Sequence, residues 1–503
     1  MLFRPEPGEP VYAQLYRRLR DDILSGALRP DSRLPASRHL AQEAGVSRNT
    51  VLQAYEQLGA EGYVEGRRGA GTFVAHDLPD QRPAAAPAQT TEDRAPAFPP
   101  APRLSAYARR AQRPWAPQMQ PTAAHIRHDF RYGLPDLSDF PQTIWRRLLA
   151  RHAVDPGNRS AHYAPTEGLP RLRAAIADYL HRARGTTFQA EDILIVNGSQ
   201  QALDLIARLL IDPGDGVLIE EPHYLGAREV FAAAGARLIP APVDDDGLDL
   251  AAAPPGDKAR LVYVTPSHQF PSGAVMPLSR RLALLEWARA QDAYVIEDDY
   301  DSEFRYGGRP VEAVQALDRD SRVIYLGTMS KTLFPALRIG FMALPPGLRA
   351  PAVAIKHLAD RHTPTLTQAA IADFIAEGHF ERYVRRSRTR NAKRREALLS
   401  ALRRHFGDQV RIQGSNAGLH LMIWFNGLAP ARTAEMVARA AEAGVGVYPL
   451  DPYFLGAPKE AGLLLGYTSM DERAITDGIG RLARALLPIF GSSAPETVQA
   501  AVR

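Results

Sequence analysis

Between Asp192 and Thr328 the chain repeats one pattern: short apolar runs, DILIVNG, GVLIEEP, RLVYVTP, AYVIEDD and RVIYLGT, each ending in polar, glycine or proline residues. Their apolar positions are successive rather than alternate, so they predict strands buried on both faces. Amphipathic stretches such as SRRLALLEWARAQ supply the covering helices. This confines the region to an α/β architecture with a largely parallel sheet. Sheets of that kind carry their sites beyond the carboxyl ends of the strands. The residues that follow each run are therefore the first place to look for chemistry.

Upstream, DLPDQRPAAAPAQTTEDRAPAFPPAPRL lacks both helical and strand period, and its proline and alanine content predicts a linker over residues 77–124. It divides a small domain, residues 1–76, from a large one, residues 125–490. The chain holds no cysteine, which excludes disulfides, thiolate metal sites and cysteine nucleophiles. No metal site is expected. MLFRPEPGEPVYAQ has no signal-peptide core and no run is long enough to span a membrane, so a soluble cytoplasmic protein is expected. A net charge of +5 spread over 503 residues says little about nucleic acid.

In the small domain, PVYAQLYRRLRDDILSGAL places apolar residues at Val11, Leu15, Leu19, Ile23 and Leu24, a helical spacing. ASRHLAQEAG and SRNTVLQAYEQLGAEG predict two further helices around a Gly45-Val46 turn, the second capped by Ser47. YVEGRRGAGTFVA predicts a hairpin with Arg67, Arg68, Gly69 and Gly71 at its tip. Short helices on a tight glycine turn, followed by a wing, suit a helix-turn-helix reader of duplex DNA. Bulk charge argues neither way, and a helical hairpin with a solvated face shows the same period. The arginines Arg33, Arg38, Arg48, Arg67 and Arg68, however, fall at helix starts or turns, where phosphate and base edges are contacted.

The motifs RLPASRHLA, GVSRNTV and GAGTFV make the whole of this domain resemble the winged helix of the GntR family of bacterial regulators. That resemblance implies DNA contacts from Arg33, Ser37, Arg38, Ser47, Arg48, Thr50 and Gly71.

Lysine occurs only five times in the chain, yet one follows the last apolar run in TMSKTLFPALRIG. Lys331 is either a solvated charge or phosphate clamp, or an amine that bonds an aldehyde cofactor. Pyridoxal 5'-phosphate (PLP) makes further demands: an acid for its ring nitrogen, donors for its phosphate and a face against its ring. Asp298 and Tyr300 lie two apart at a strand end, so they face one way and suit the ring nitrogen and ring oxygen. Gly198, Ser199 and Gln200 open a helix whose free N–H groups suit a phosphate, with Ser330 and Arg338 beside Lys331. Tyr224 is the expected ring stacker.

HYAPTEGLPRLRAAIADYL, NGSQQALDL, TPSHQFPSGAVM, EDDYDSEF and SKTLFPALRIGF together make residues 125–490 resemble fold type I, PLP-dependent aminotransferases. A GntR winged helix joined to such a domain resembles the MocR/GabR regulators. The resemblance implies a head-to-tail homodimer binding a double-stranded operator, PLP on Lys331, and Tyr163 reaching the phosphate in the neighbouring subunit.

Two stretches depart from the enzyme pattern. Leu464, in GLLLGYTSM, stands where such enzymes place an arginine for the substrate carboxylate, leaving Arg228 as a substitute. In SHQFPSG, Gln269 or His268 replaces the usual asparagine at the ring oxygen. The expectation is a regulator rather than an enzyme, sensing PLP itself and controlling vitamin B6 synthesis genes as the PdxR branch does. Response to an amino acid such as γ-aminobutyrate, or a working aminotransferase, are the alternatives.

Overall fold

The computed structural model describes residues 8–67, 69–79, 102–112, 123–153, 162–254, 256, 258–307 and 312–490. The chain divides into two compact units, residues 1–102 and 103–503.

In the first unit, helix Val11–Leu24 buries Leu15, Leu19 and Ile23 at the expected four-residue spacing. Helix Ser37–Ala44 ends on Gly45, whose φ of 66° turns the chain left-handed at little cost. Helix Arg48–Ala60 begins at Ser47, whose hydroxyl accepts the Thr50 amide at 3.1 Å. Strands Val64–Arg67 and Gly71–Val74 pair antiparallel as the wing. Leu34, Leu40, Val51, Ala54, Leu58 and Val74 close the core beneath them.

In the second unit, all five apolar runs form strands of one eight-stranded sheet. Its order is Ile193–Val196, Gly340–Ala343, Val323–Thr328, Tyr294–Asp299, Leu261–Val264, Gly216–Glu221, Arg237–Asp244, Gly247–Leu248. The middle of the sheet is parallel, while Gly340–Ala343 runs antiparallel to both its neighbours. Helices on both faces explain the unbroken apolar runs: Ile195 and Tyr325 pack to one side, Val196 and Ile324 to the other. A helix of 28 residues, His379–Phe406, leads to a four-stranded antiparallel sheet ordered Val410–Gln413, His420–Phe425, Gly462–Gly466, Tyr448–Pro449.

One stretch read as linker is structured. Ser105 caps a six-residue helix, Ala106–Ala111. From it Arg110 donates to the carbonyls of Ala233 and Ala234 at 2.9 and 3.3 Å. A guanidinium at the carboxyl end of helix Leu225–Ala234 answers its exposed carbonyls and its dipole. Six residues are too few to show a helical period, which hid this docking in the composition.

Among the described residues, no helix is long and apolar enough to cross a membrane.

Candidate functional site

In the winged helix, the serine and threonine positions organise the turn rather than point freely. Ser47 and Thr50 share a hydroxyl contact at 2.8 Å, and Arg48 Nε lies 3.4 Å from the Ser37 hydroxyl. Arg33, Arg38 and Arg48 are exposed and have no carboxylate partner among the described residues. Gly71 has φ of 111°, and a Cβ there would sit 3.0 Å from Arg33 Nε, so the glycine lets the arginine lie against the wing. Arg67 differs from the expectation of a free wing-tip cation: it pairs with Asp31 and Glu65, both at 2.7 Å. Arg68 lies outside the described residues.

In the larger unit, strand ends gather most of the expected cofactor residues. Gly198, with φ of 89°, caps helix Ser199–Leu210. A Cβ on Gly198 would stand 2.9 Å from Arg338 Nη2, so only glycine lets that guanidinium lie across the helix start. Arg338 also donates to the Asn197 carbonyl. The first-turn N–H groups of Ser199 and Gln200 have no intrahelical acceptor, which with Arg338 makes an anion cradle. Gln200 and Tyr224 converge on Gly226, where a Cβ would meet both at 2.6 Å. Tyr224 presents its ring edge-on to Phe270 at 5.7 Å.

Asp298 is buried. One carboxylate oxygen accepts the Tyr263 hydroxyl at 2.7 Å, and the other, Oδ1, has no partner in the described structure. Burial pushes its pKa up to about 7, against the pull of the Tyr263 hydrogen bond and Lys331. Burial likewise lowers the pKa of Lys331, while Asp301 and Asp298 oppose it. The Lys331 amine donates to the Gly133 carbonyl at 3.1 Å, and a Cβ on Gly133 would lie 2.5 Å from Nζ. Ser330 follows Thr328, whose hydroxyl accepts the Ser330 amide at 3.1 Å.

The ring-oxygen expectation needs correction at Gln269. Its side-chain nitrogen donates to Glu220, Pro222 and Phe270, its oxygen accepts the Ser272 amide, and the residue is 1% exposed. With both N–H groups committed, the amide has no donor left for a ring oxygen. His268, its neighbour, instead lies 2.8 Å through Nδ1 from the Tyr300 hydroxyl and 3.1 Å from Asp301. A Cβ on Gly418 would stand 1.9 Å from the His268 ring, so that glycine admits the imidazole. His420 packs beside it, ring centroids 5.1 Å apart.

Tyr163 is 82% exposed and lies against Arg361 and His362. Leu464 is fully buried between Met422 and Tyr448 on the smaller sheet, in a cluster with Phe270, Leu450 and Tyr453. Arg228 donates to the Pro452 carbonyl at 3.0 Å.

Sequence reading missed Gly133, whose carbonyl reaches Lys331 from 198 residues away, and Tyr263, the partner of Asp298. No local motif marks Gly133. Tyr263 sits inside an apolar run, and a tyrosine there was a polar signal at a strand's end.

Residues fit the cofactor in kind: a depressed lysine, an orphaned carboxylate oxygen and a helix start kept open by glycine. Residues 138–472 match the model of aminotransferase class I and II, and residues 11–74 match that of the bacterial regulatory proteins, gntR family. The chain is 42% identical to the probable rhizopine catabolism regulatory protein MocR of Rhizobium meliloti, over 96% of this chain and 95% of that protein. It is 32% identical to the pyridoxine biosynthesis transcriptional regulator PdxR of Corynebacterium glutamicum, over 93% of this chain and 94% of that one. The larger unit is similar to LysN, the α-aminoadipate aminotransferase of Thermus thermophilus complexed with a phosphopyridoxyl-leucine, at a TM-score of 0.70 and 32% identity over 77% of this chain and 98% of that one. With both domains matched in order along nearly its full length, the chain belongs to the MocR-type transcriptional regulators, a GntR winged helix followed by an aminotransferase-like domain.

Proposed function

We propose that the larger domain is a PLP sensor whose occupancy sets how a dimer of these chains engages its operator. The unpartnered Oδ1 of buried Asp298 carries this reading, because a buried carboxylate oxygen without a donor suits a protonated ring nitrogen. Bound there, PLP supplies an aldehyde carbon to which the Lys331 amine can bond. Gly133 and the acids Asp298 and Asp301 hold that amine at the site, and burial favours its neutral, nucleophilic form. Ser199, Gln200 and Arg338 would hold the phosphate, Tyr224 would face the ring and Tyr300, backed by His268, would meet the ring oxygen. Tyr163, exposed on one subunit, would reach the phosphate of its partner in a head-to-tail homodimer.

Occupancy changes DNA affinity only through contacts that differ between two arrangements of the dimer. Two winged helices joined to one dimer bind two half-sites with a raised effective concentration when the spacing fits. Arg33, Ser37, Arg38, Ser47, Arg48, Thr50 and Gly71 would meet the duplex.

Leu464 favours regulation over turnover, since a leucine inside an aromatic cluster cannot grip a substrate carboxylate. The same residue, with the PdxR likeness, favours PLP itself as effector and vitamin B6 synthesis genes as targets. The likeness to the Rhizobium meliloti regulator, named for rhizopine catabolism, favours a second reading in which a small organic effector joins PLP.

Adding PLP to the purified protein, reducing with borohydride and locating the adduct by peptide mass tests the sensor. The adduct is expected on Lys331, and operator binding should then respond to PLP alone. An adduct elsewhere, or rapid turnover of an amino donor with an oxo acid, would overturn the reading.

A further inference from the structure

Helix His379–Phe406 carries ten lysine and arginine residues against two glutamates, a formal charge of +8 that exceeds the +5 of the whole chain. Its inward arginines have structural work: Arg390 and Arg394 pair with Asp136 at 3.1 and 2.7 Å. Arg385, Arg386, Lys393, Arg403 and Arg404 make no such pair. They are exposed and have no acidic partner among the described residues. Glu396, the acid nearest in sequence, lies 3.8 Å from Arg395.

At about 3.6 residues per turn, the five cations fall within a sector of about 100°. From Arg385 to Arg404 they extend about 29 Å at 1.5 Å per residue, close to the ~34 Å of one duplex turn. Arg484, exposed on helix Glu472–Phe490, adds a cation at the far end, where it and Arg404 both bear on His405. Glu396 is the one acid between Arg385 and Arg404 and falls inside the same sector, so the face carries five cations to one acid, and like charges packed along one helix face destabilise it. The helix dipole accounts for Arg403 and Arg404 in the last turn but not for Arg385, Arg386 and Lys393 along its length, whereas a row of phosphates accounts for all five. The winged helix adds little bulk charge of its own: residues 1–76 hold ten arginines and nine acids.

We propose that this exposed face of helix His379–Phe406 is a second, sequence-independent contact surface for duplex DNA on the larger domain. It rests on the reading of the chain as a DNA-binding regulator, and it assigns the flanking duplex, beyond the half-sites read by the winged helices, to this stripe.

The full-length protein, wild type and R385Q/R386Q/K393Q/R403Q, is titrated with a mixed-sequence 40-base-pair duplex across a range of salt concentrations. Each phosphate contact contributes about 0.9 to the slope of log affinity against log salt. The quadruple variant should lose about 3 to 4 from that slope, with circular dichroism and elution volume unchanged. The pair K393Q/R403Q, expected to lose about 2, keeps the test open should the quadruple variant misfold. A wild-type slope in both variants would overturn the proposal. So would stripe-dependent binding to phosphatidylserine vesicles with no change toward DNA. Failure of the wild type to bind any duplex would instead defeat the underlying reading.

Discussion

Gly133→Ala is the most direct challenge to the Lys331 site. A methyl group at this position would stand 2.5 Å from Nζ, about 1 Å inside a comfortable carbon–nitrogen contact of roughly 3.5 Å. The lysine end is flexible and would yield, leaving the Gly133 carbonyl that now accepts it at 3.1 Å. The backbone cannot yield so readily: φ is 79°, and an L-residue there costs about 1–2 kcal/mol. These are separate effects. Backbone strain lowers the stability of the domain by that amount whether or not PLP is present. Displacement of the amine acts on bond formation, where a misplacement of about 1 Å can cost a factor of about 100 in rate. Following visible absorption after mixing with PLP, in parallel with thermal melts of the cofactor-free protein, separates the two. A large fall in capture rate with a modest fall in melting temperature is expected. Capture at the wild-type rate would refute the placement of Gly133 beneath Lys331.

Two further outcomes follow from the geometry. Arg48→Ala should weaken operator binding by about 1–3 kcal/mol while leaving PLP capture on Lys331 intact, as measured by fluorescence anisotropy and borohydride trapping. Burial raises Glu220, Asp298 and Glu303 each to about 7. The folded state therefore binds more protons than the unfolded state in the window above ordinary carboxylate values, and that stabilisation is lost as pH rises through about 7. The melting temperature of the cofactor-free protein should fall between about pH 4.5 and 7, and Asp298→Asn should lessen the fall.

The parallel sheet was legible because its strands are covered on both faces, which writes unbroken apolar runs into the sequence. Lys331, Asp298 and Gly198 were legible for a related reason: each closely follows such a run, where this architecture collects its sites. What escaped were contacts that no spacing encodes. Gln269 and His268 are adjacent in sequence, but a turn between Phe270 and Ala274 occupies the amide and leaves the imidazole beside Tyr300. Composition ranked them equally. Arg67 stands at a wing tip by pattern, yet Asp31, 36 residues earlier, draws it in. Gly133 belongs to a segment without strong period, and its use becomes visible only when Lys331 arrives above it.

The lone oxygen of Asp298 also bears on how long the protein lasts in a cell. A buried carboxylate oxygen lacking a donor is a standing cost to the native state. A ligand that removes this cost by binding only the folded chain adds about 2.7 kcal/mol at a hundredfold excess over its dissociation constant. Differences of that size change steady-state abundance severalfold through proteolysis of the unfolded fraction. PLP supply would then be recorded twice, once in the affinity of each dimer for its operator and once in the number of dimers that survive to bind it.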